Sequence, residues 1–262
     1  MSGPRSRLPS LDDGVAFAKS VARVLSQTTG DPYGEPALSE LEAGKEKAEQ
    51  GLGNPVAFAH TVIDWYAQAT GDFLYGTGEV SRESYNLALS SAAVARSACE
   101  YAGIGWWLAE PGIEIESRIA RTARLVITTH NEGKGLLDSS ELAQYEAGSA
   151  VLVSWAQRNL SAREKLPGPT ERFKMMHPAH GQKHYSRLSM LAHGDLSLVG
   201  QIVSLKVTGQ DEQAEEPWWR ILLACSHGLS LAQRISELRG RSSEQLPALQ
   251  ELHAYYDGLL TD

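Results

Sequence analysis

The sequence predicts an all-α protein, a single bundle of about eight to nine helices. Three observations carry that expectation: Ala, Leu, Glu, Arg and Gln dominate, apolar residues recur at three-and-four spacing in segment after segment, and alternating β-branched runs are short and few. At 262 residues with 42% hydrophobic side chains, the chain can bury a sizeable core as one domain, with residues 1–10 as a flexible tail.

Residues 11–29 form a first helix behind Ser10, and GDPYGEP turns the chain into a charged, exposed helix over 37–50. Pro55 opens a third helix with Val56, Ala59, Val62, Ile63 and Tyr66 on one face, and the glycines from Gly71 to Gly78 are expected to end it. Ser81 then caps a long helix, 82–108, whose small residues (ALSSAAVARSACEYAGIG) suit the centre of a bundle, where backbones approach closely. Trp106 and Trp107 at its end are read as core. Glu110-Pro111-Gly112 breaks the chain before a helix over 113–130 that carries Arg118, Arg121 and Arg124 at steps of three, on one broad face. Asp138 with Glu141 has the form of a capping box for a helix to about 160. LPGPTERF reads as loop and 182–206 as helix, with Leu188, Met190, Leu191 and Leu196 toward the core; the acidic DEQAEEP break precedes helices at 217–239 and 246–260. The last two, with Trp218 and Trp219, look like packing or dimerisation surfaces.

The formal charge of −8 argues against broad coating of nucleic acid, so any polyanion site must be local. Cys99 and Cys225 sit in apolar runs without CxxC spacing, which supports neither a disulfide framework nor a zinc cluster and suggests a reducing cytoplasm. No apolar run approaches the roughly 18 residues of a membrane span, and no h-region follows MSGPRSRLPS, so the chain is read as neither inserted nor exported.

Chemistry concentrates between His177 and His193, where HPAHGQKHYSRLSMLAH holds four of the eight histidines beside Lys183, Tyr185, Arg187 and Ser189. Imidazole can take and give a proton near neutral pH, and a guanidinium alongside can hold an oxyanion. From Arg158 to Arg187, seven basic residues face two acidic ones, a local +5 that suits an anion, although a solvated face has the same composition. Tyr185, Ser189 and His193 are four apart and share one helical stripe. Arg96 and Glu100, one turn apart, fit either an exposed ion pair or a buried functional one. His177, His180 and His184 are the candidate metal ligands, but no HExxH or ExxH accompanies them, so neither metal nor cofactor is expected.

The order of elements resembles a group of helical, mostly uncharacterised bacterial proteins with an R-S-x-x-E-like helix, a W-L-x-x-P turn followed by arginines, and a Y-x-x-L-S-x-x-x-H helix. Here these are ARSACEYAGIGWWLAEPGIEIESRIAR and YSRLSMLAHG, spanning Arg96 to Gly194. The last helix also resembles the HEPN superfamily, whose signature is Arg, four to six residues, then His. Arg187 and His193 fit it. Arg124–His130, Arg172–His177 and Arg220–His227 have the same spacing, but only Arg187–His193 sits with Tyr185 and Ser189, just after the basic stretch. That resemblance implies a HEPN-like helical core, commonly dimeric, and a metal-independent endoribonuclease of toxin or defence type. His193 would be general acid/base and Arg187 the transition-state stabiliser, with Arg96, Glu100, Arg118 and Arg121 orienting the pair or holding backbone phosphate. The overall charge, Leu188 in place of a polar residue after the signature arginine, and the Trp-rich segments motivate the alternatives. These are a non-catalytic helical module for a protein partner or ligand, or a small-molecule enzyme using the Tyr185/Ser189/His193 stripe.

Overall fold

A computed structural model describes residues 9–30, 33–49, 51–193, 195–197, 200–202, 204, 215–241 and 243–261. Among them the regular structure is helical, with one isolated bridge between Glu49 and Gly53. The helices are α1 (Leu11–Gly30), α2 (Glu35–Lys45), α3 (Pro55–Arg82), α4 (Ser84–Leu108), α5 (Ile115–Lys134), α6 (Ser139–Asn159), α7 (Pro169–Met176), α8 (Gly181–Ala192), α9 (Glu215–Arg239) and α10 (Leu246–Thr261). None of the described helices is long and apolar enough to cross a membrane.

Local signals set most of these boundaries. Ser10 and Asp13 exchange bonds at the start of α1, and the Ser10 Oγ donates to Asp13 at 2.7 Å. Asn54 Oδ1 accepts from the amides of Val56 and Ala57, and Asp138 with Glu141 forms the expected capping box. Each cap satisfies amides that the first helical turn leaves without partners. Pro9 and Ser10 are held rather than trailing, since Trp218 Nε1 donates to the Pro9 carbonyl at 3.0 Å; the rest of the expected tail, 1–8, lies outside the described residues.

Several boundaries depart from the sequence reading. Helix α2 ends at Lys45 instead of running to 50, and Ser81 lies buried inside α3 instead of capping α4, whose N-cap position is Glu83. The helix that begins at Pro55 runs through Gly71 and Gly78 to Arg82, because these glycines serve close packing against α1. A Cβ at Gly78 would stand 3.3 Å from both Ala18 Cβ and Val15 Cα, and one at Gly71 3.5 Å from the Ala22 carbonyl oxygen. A glycine in a helix costs about 1 kcal/mol relative to alanine, which the buried seam offsets. The segment read as loop contains α7, opened by Pro169 and held by Glu171, whose carboxylate accepts from the Gly168 amide at 2.8 Å. The helix expected over 182–206 stops at Ala192 and turns at His193; Leu188 and Leu191 are buried, but Met190 and Leu196 face solvent, and 205–206 lie outside the described residues.

Helices α1, α3, α4 and α9 enclose the main core, with α4 presenting Ala92, Ala95, Ala98, Cys99 and Ala102 to its neighbours. Burial raises the pKa of both the Cys99 and Cys225 thiols, which behave as small apolar groups. A second cluster, Val56, Ile119, Ala123, Trp155 and Ala156, joins α3, α5 and α6. Helices α7 and α8 pack on each other and on α4, and α10 packs on α9 and α1. Arg239 ties the two ends of this arrangement: its guanidinium donates to the Thr28 carbonyl and to Asp64 and lies 4.9 Å from the Tyr33 ring. The Phe17 ring of α1 meets Tyr256 of α10 at 5.5 Å.

Candidate functional site

Two elements build the site. On α4, Arg96 and Glu100 are one turn apart, and Arg96 Nε donates to Glu100 Oε1 at 2.7 Å. On α8, Tyr185 and His193 lie two turns apart on the side facing α4. Gly181 sets that approach: a Cβ there would fall 2.2 Å from the Phe173 carbonyl oxygen of α7, so only glycine lets α8 start this close. Tyr185 is anchored edge-on against buried Phe173, with centroids 5.2 Å apart. The Arg96 Nη2 donates to the Tyr185 hydroxyl at 3.1 Å, and Nη1 lies 2.6 Å from His193 Nε2.

Because a guanidinium only donates, His193 Nε2 is the acceptor in this contact. His193 is exposed, whereas Arg96 and Glu100 are largely covered. The helix ends at this histidine, whose amide donates to the Ser189 carbonyl at 2.9 Å. An accessible imidazole thus rests against a cation held in place by Glu100 and Tyr185. Arg96, Glu100, Tyr185 and His193 converge, and half-buried Ser189 lies between the last two along α8 without a bond to Arg96.

Arg187 does not join them. Its guanidinium pairs with Glu216 at the start of α9 and stacks 4.1 Å from the Trp219 ring centroid, on a different side of α8 from His193. The charge partner of His193 is Arg96, 97 residues away in sequence.

Nor do the α5 arginines reach the cluster. Arg118 is fully buried; its Nε and Nη2 fork onto the two carboxylate oxygens of Glu40 at 2.9 Å each, and it also donates to the Leu108 and Glu110 carbonyls. Arg121 pairs with Glu164 and Glu110 and donates to the Trp107 carbonyl at 2.6 Å. Both are clamps between helices. A buried guanidinium needs this number of acceptors, and once they are in place none of its donors points at a ligand.

Four other histidines, His177, His180, His184 and His227, form a second cluster where α7, α8 and α9 meet. His177 and His227 rings are 4.5 Å apart, His177 and His184 6.4 Å, and His180 and His184 5.9 Å. Burial, reinforced by neighbouring imidazoles, lowers the pKa of His177 to about 4 and of His227 to about 3, and shifts His184 in the same direction. Among the described residues no three His, Cys, Asp or Glu side chains are arranged to hold a metal ion.

A feature the sequence did not announce lies beside Glu100. A cavity of about 830 Å³ opens between α3, α4, α5 and the segment leading into α7, lined by Arg124, Lys165, Arg172, Tyr66, Tyr101 and Glu100 among others. Its only signal in the sequence was the excess of basic residues from 158 to 187, which does not say which of them turn inward. No family model, curated protein or solved structure matches this chain.

Proposed function

We propose that this protein cleaves RNA without a metal ion, using His193 as general acid/base and Arg96, in the place the sequence reading gives to Arg187, as the cation that stabilises the transition state. One observation carries the proposal: an exposed imidazole lies 2.6 Å from a guanidinium that Glu100 and Tyr185 hold in position. A site prepared in this way stabilises developing charge with little rearrangement.

A phosphodiester approaching the pair competes for the Arg96 N–H groups and frees His193 Nε2. The imidazole then takes the 2′-hydroxyl proton as the 2′-oxygen attacks phosphorus. The P–O5′ bond breaks, and the imidazolium returns the proton to the departing 5′-oxygen, leaving a 2′,3′-cyclic phosphate and a 5′-hydroxyl. Arg96 faces the extra negative charge on the phosphoryl oxygens throughout.

End-labelled RNA incubated with the full chain in EDTA tests this. Cyclic-phosphate products are expected, with His193→Ala and Arg96→Ala each lowering the rate by about 10²–10⁴-fold, while Arg187→Ala stays within a few-fold of the parent. Intact RNA, or cleavage that survives His193→Ala in a folded variant, overturns the assignment and leaves a binding module.

A further inference from the structure

Among the described residues, three buried or largely covered guanidiniums are matched by carboxylates: Arg118 by Glu40, Arg121 by Glu164 and Glu110, Arg239 by Asp64. Two departures line one cavity. Arg172 is 6% exposed, donates through Nη1 to the Pro167 carbonyl, and leaves its buried Nε without a partner. Half-buried Arg124 donates only to the carbonyls of Glu164 and Ser161. Lys165, exposed at the rim, has no ion pair among the described residues.

A cation withdrawn from water without a counter-charge is costly, and an anion arriving in the cavity removes that cost. Burial depresses the Arg172 pKa, and the charges of Glu100 and Glu132, neither of them bonded to it, offset this only in part; the guanidinium still stays protonated at neutral pH. The other walls describe the rest of the occupant. Tyr66 and half-exposed Tyr101, centroids 5.6 Å apart, offer aromatic surface for a flat ring. Glu100 and Glu132, on the same lining, accept hydrogen bonds from hydroxyl groups. Glu100 is already paired with Arg96, so three cations face the one remaining carboxylate of Glu132, a surplus that suits a doubly charged phosphate, and 830 Å³ is room for a small organic molecule rather than a bare ion.

We propose that this cavity binds a small phosphate monoester bearing hydroxyl groups and a planar ring, of which a nucleoside monophosphate is the type, with the phosphate on Arg172, Arg124 and Lys165. The site adjoins the Arg96–His193 pair through Glu100, but its phosphate ligands are different residues and binding does not depend on RNA cleavage.

Calorimetric titration of the full chain with adenosine monophosphate, adenosine and inorganic phosphate tests it, alongside thermal melts, which a bound ligand raises by mass action. Adenosine monophosphate is expected to bind at least tenfold more tightly than either fragment. Arg172→Gln should abolish binding and Lys165→Ala weaken it several-fold; the lysine is solvent-facing, so its loss leaves the fold intact even if Arg172→Gln does not fold. Arg187→Ala should change nothing. Adenosine monophosphate binding no tighter than adenosine, unchanged affinity in Lys165→Ala, or no heat and no melting shift at about millimolar ligand overturns the proposal.

Discussion

Replacing Glu40 with alanine removes the only carboxylate that Arg118 touches and leaves a guanidinium with no solvent exposure among carbonyl groups alone. Breaking a buried pair by removing one member costs about 3–5 kcal/mol, because the remaining charge is uncompensated. Against a total stability of roughly 5–15 kcal/mol this is a large fraction. At a denaturant slope of about 2.5 kcal/mol per molar, the urea midpoint should fall by roughly 1–2 M, read by circular dichroism. Glu40→Gln, which keeps one acceptor, should fall between the parent and Glu40→Ala. The paired change Glu40→Leu with Arg118→Leu should recover most of the loss, since a hydrophobic pair of similar volume is often as stable as the ions it replaces. A cost below about 1 kcal/mol for Glu40→Ala, or a double variant as weak as the sum of its singles, refutes the claim that the fork is what tolerates this charge. The pair also carries a pH signature. Burial raises the Glu40 pKa, but hydrogen bonds from His60 and Arg118 and their charge outweigh that and hold it below the usual carboxylate value. Its contribution is therefore present above about pH 4.5 and lost as pH falls below that.

Further outcomes follow from other contacts. His177, His184 and His227 hold protons less readily in the folded chain than in the unfolded chain, which takes them up near pH 6.5, so stability should drop as pH falls below that point. The slope is at most about 1.4 kcal/mol per pH unit for each histidine, levelling near 4 for His177 and 3 for His227; urea midpoints that do not change from pH 7.5 to 5 contradict this, and His227→Leu should flatten the curve. Gly181→Ala places a methyl group against the Phe173 carbonyl and should cost about 1–3 kcal/mol, shifting the Tyr185 and His193 signals in NMR spectra although neither residue is altered. Asp138→Ala removes both acceptor bonds of the α6 cap and should lower stability by about 1 kcal/mol, with a thermal melt unchanged from the parent as the contrary result.

What could be read in advance was local. Caps at Ser10 and Asp138, the proline opening α3 and the small-residue run of α4 each act within a turn or two, and each element formed where those signals lie. Glycine was misread because its effect depends on distance from other chain segments: Gly71 and Gly78 look like breakers until α1 is seen lying against them. The site residues show the same division. Arg96, Glu100, Tyr185 and His193 stood out by type and spacing, but their meeting spans separations of 89 and 97 residues, which no periodicity reports. Arg187 was assigned to the pair by its spacing to His193 and its place beside Tyr185 and Ser189; Glu216, far away in sequence at the start of α9, carries the carboxylate that takes it away. Arg118 and Arg172 look alike in sequence, and only the packing around them makes one a clamp and the other a buried cation without a carboxylate partner.

The bonds from Arg239 to Thr28 and from Trp218 to Pro9 join positions 211 and 209 residues apart. On a ribosome adding about 5–20 residues per second, the apolar side of α1 emerges roughly 10–40 s before α9 exists to cover it. Helix α3 can cover part of that side early, but the part that α9 covers stays open to chaperones and to other nascent chains through the interval, so the yield of folded protein should respond to translation speed more than its final stability would suggest.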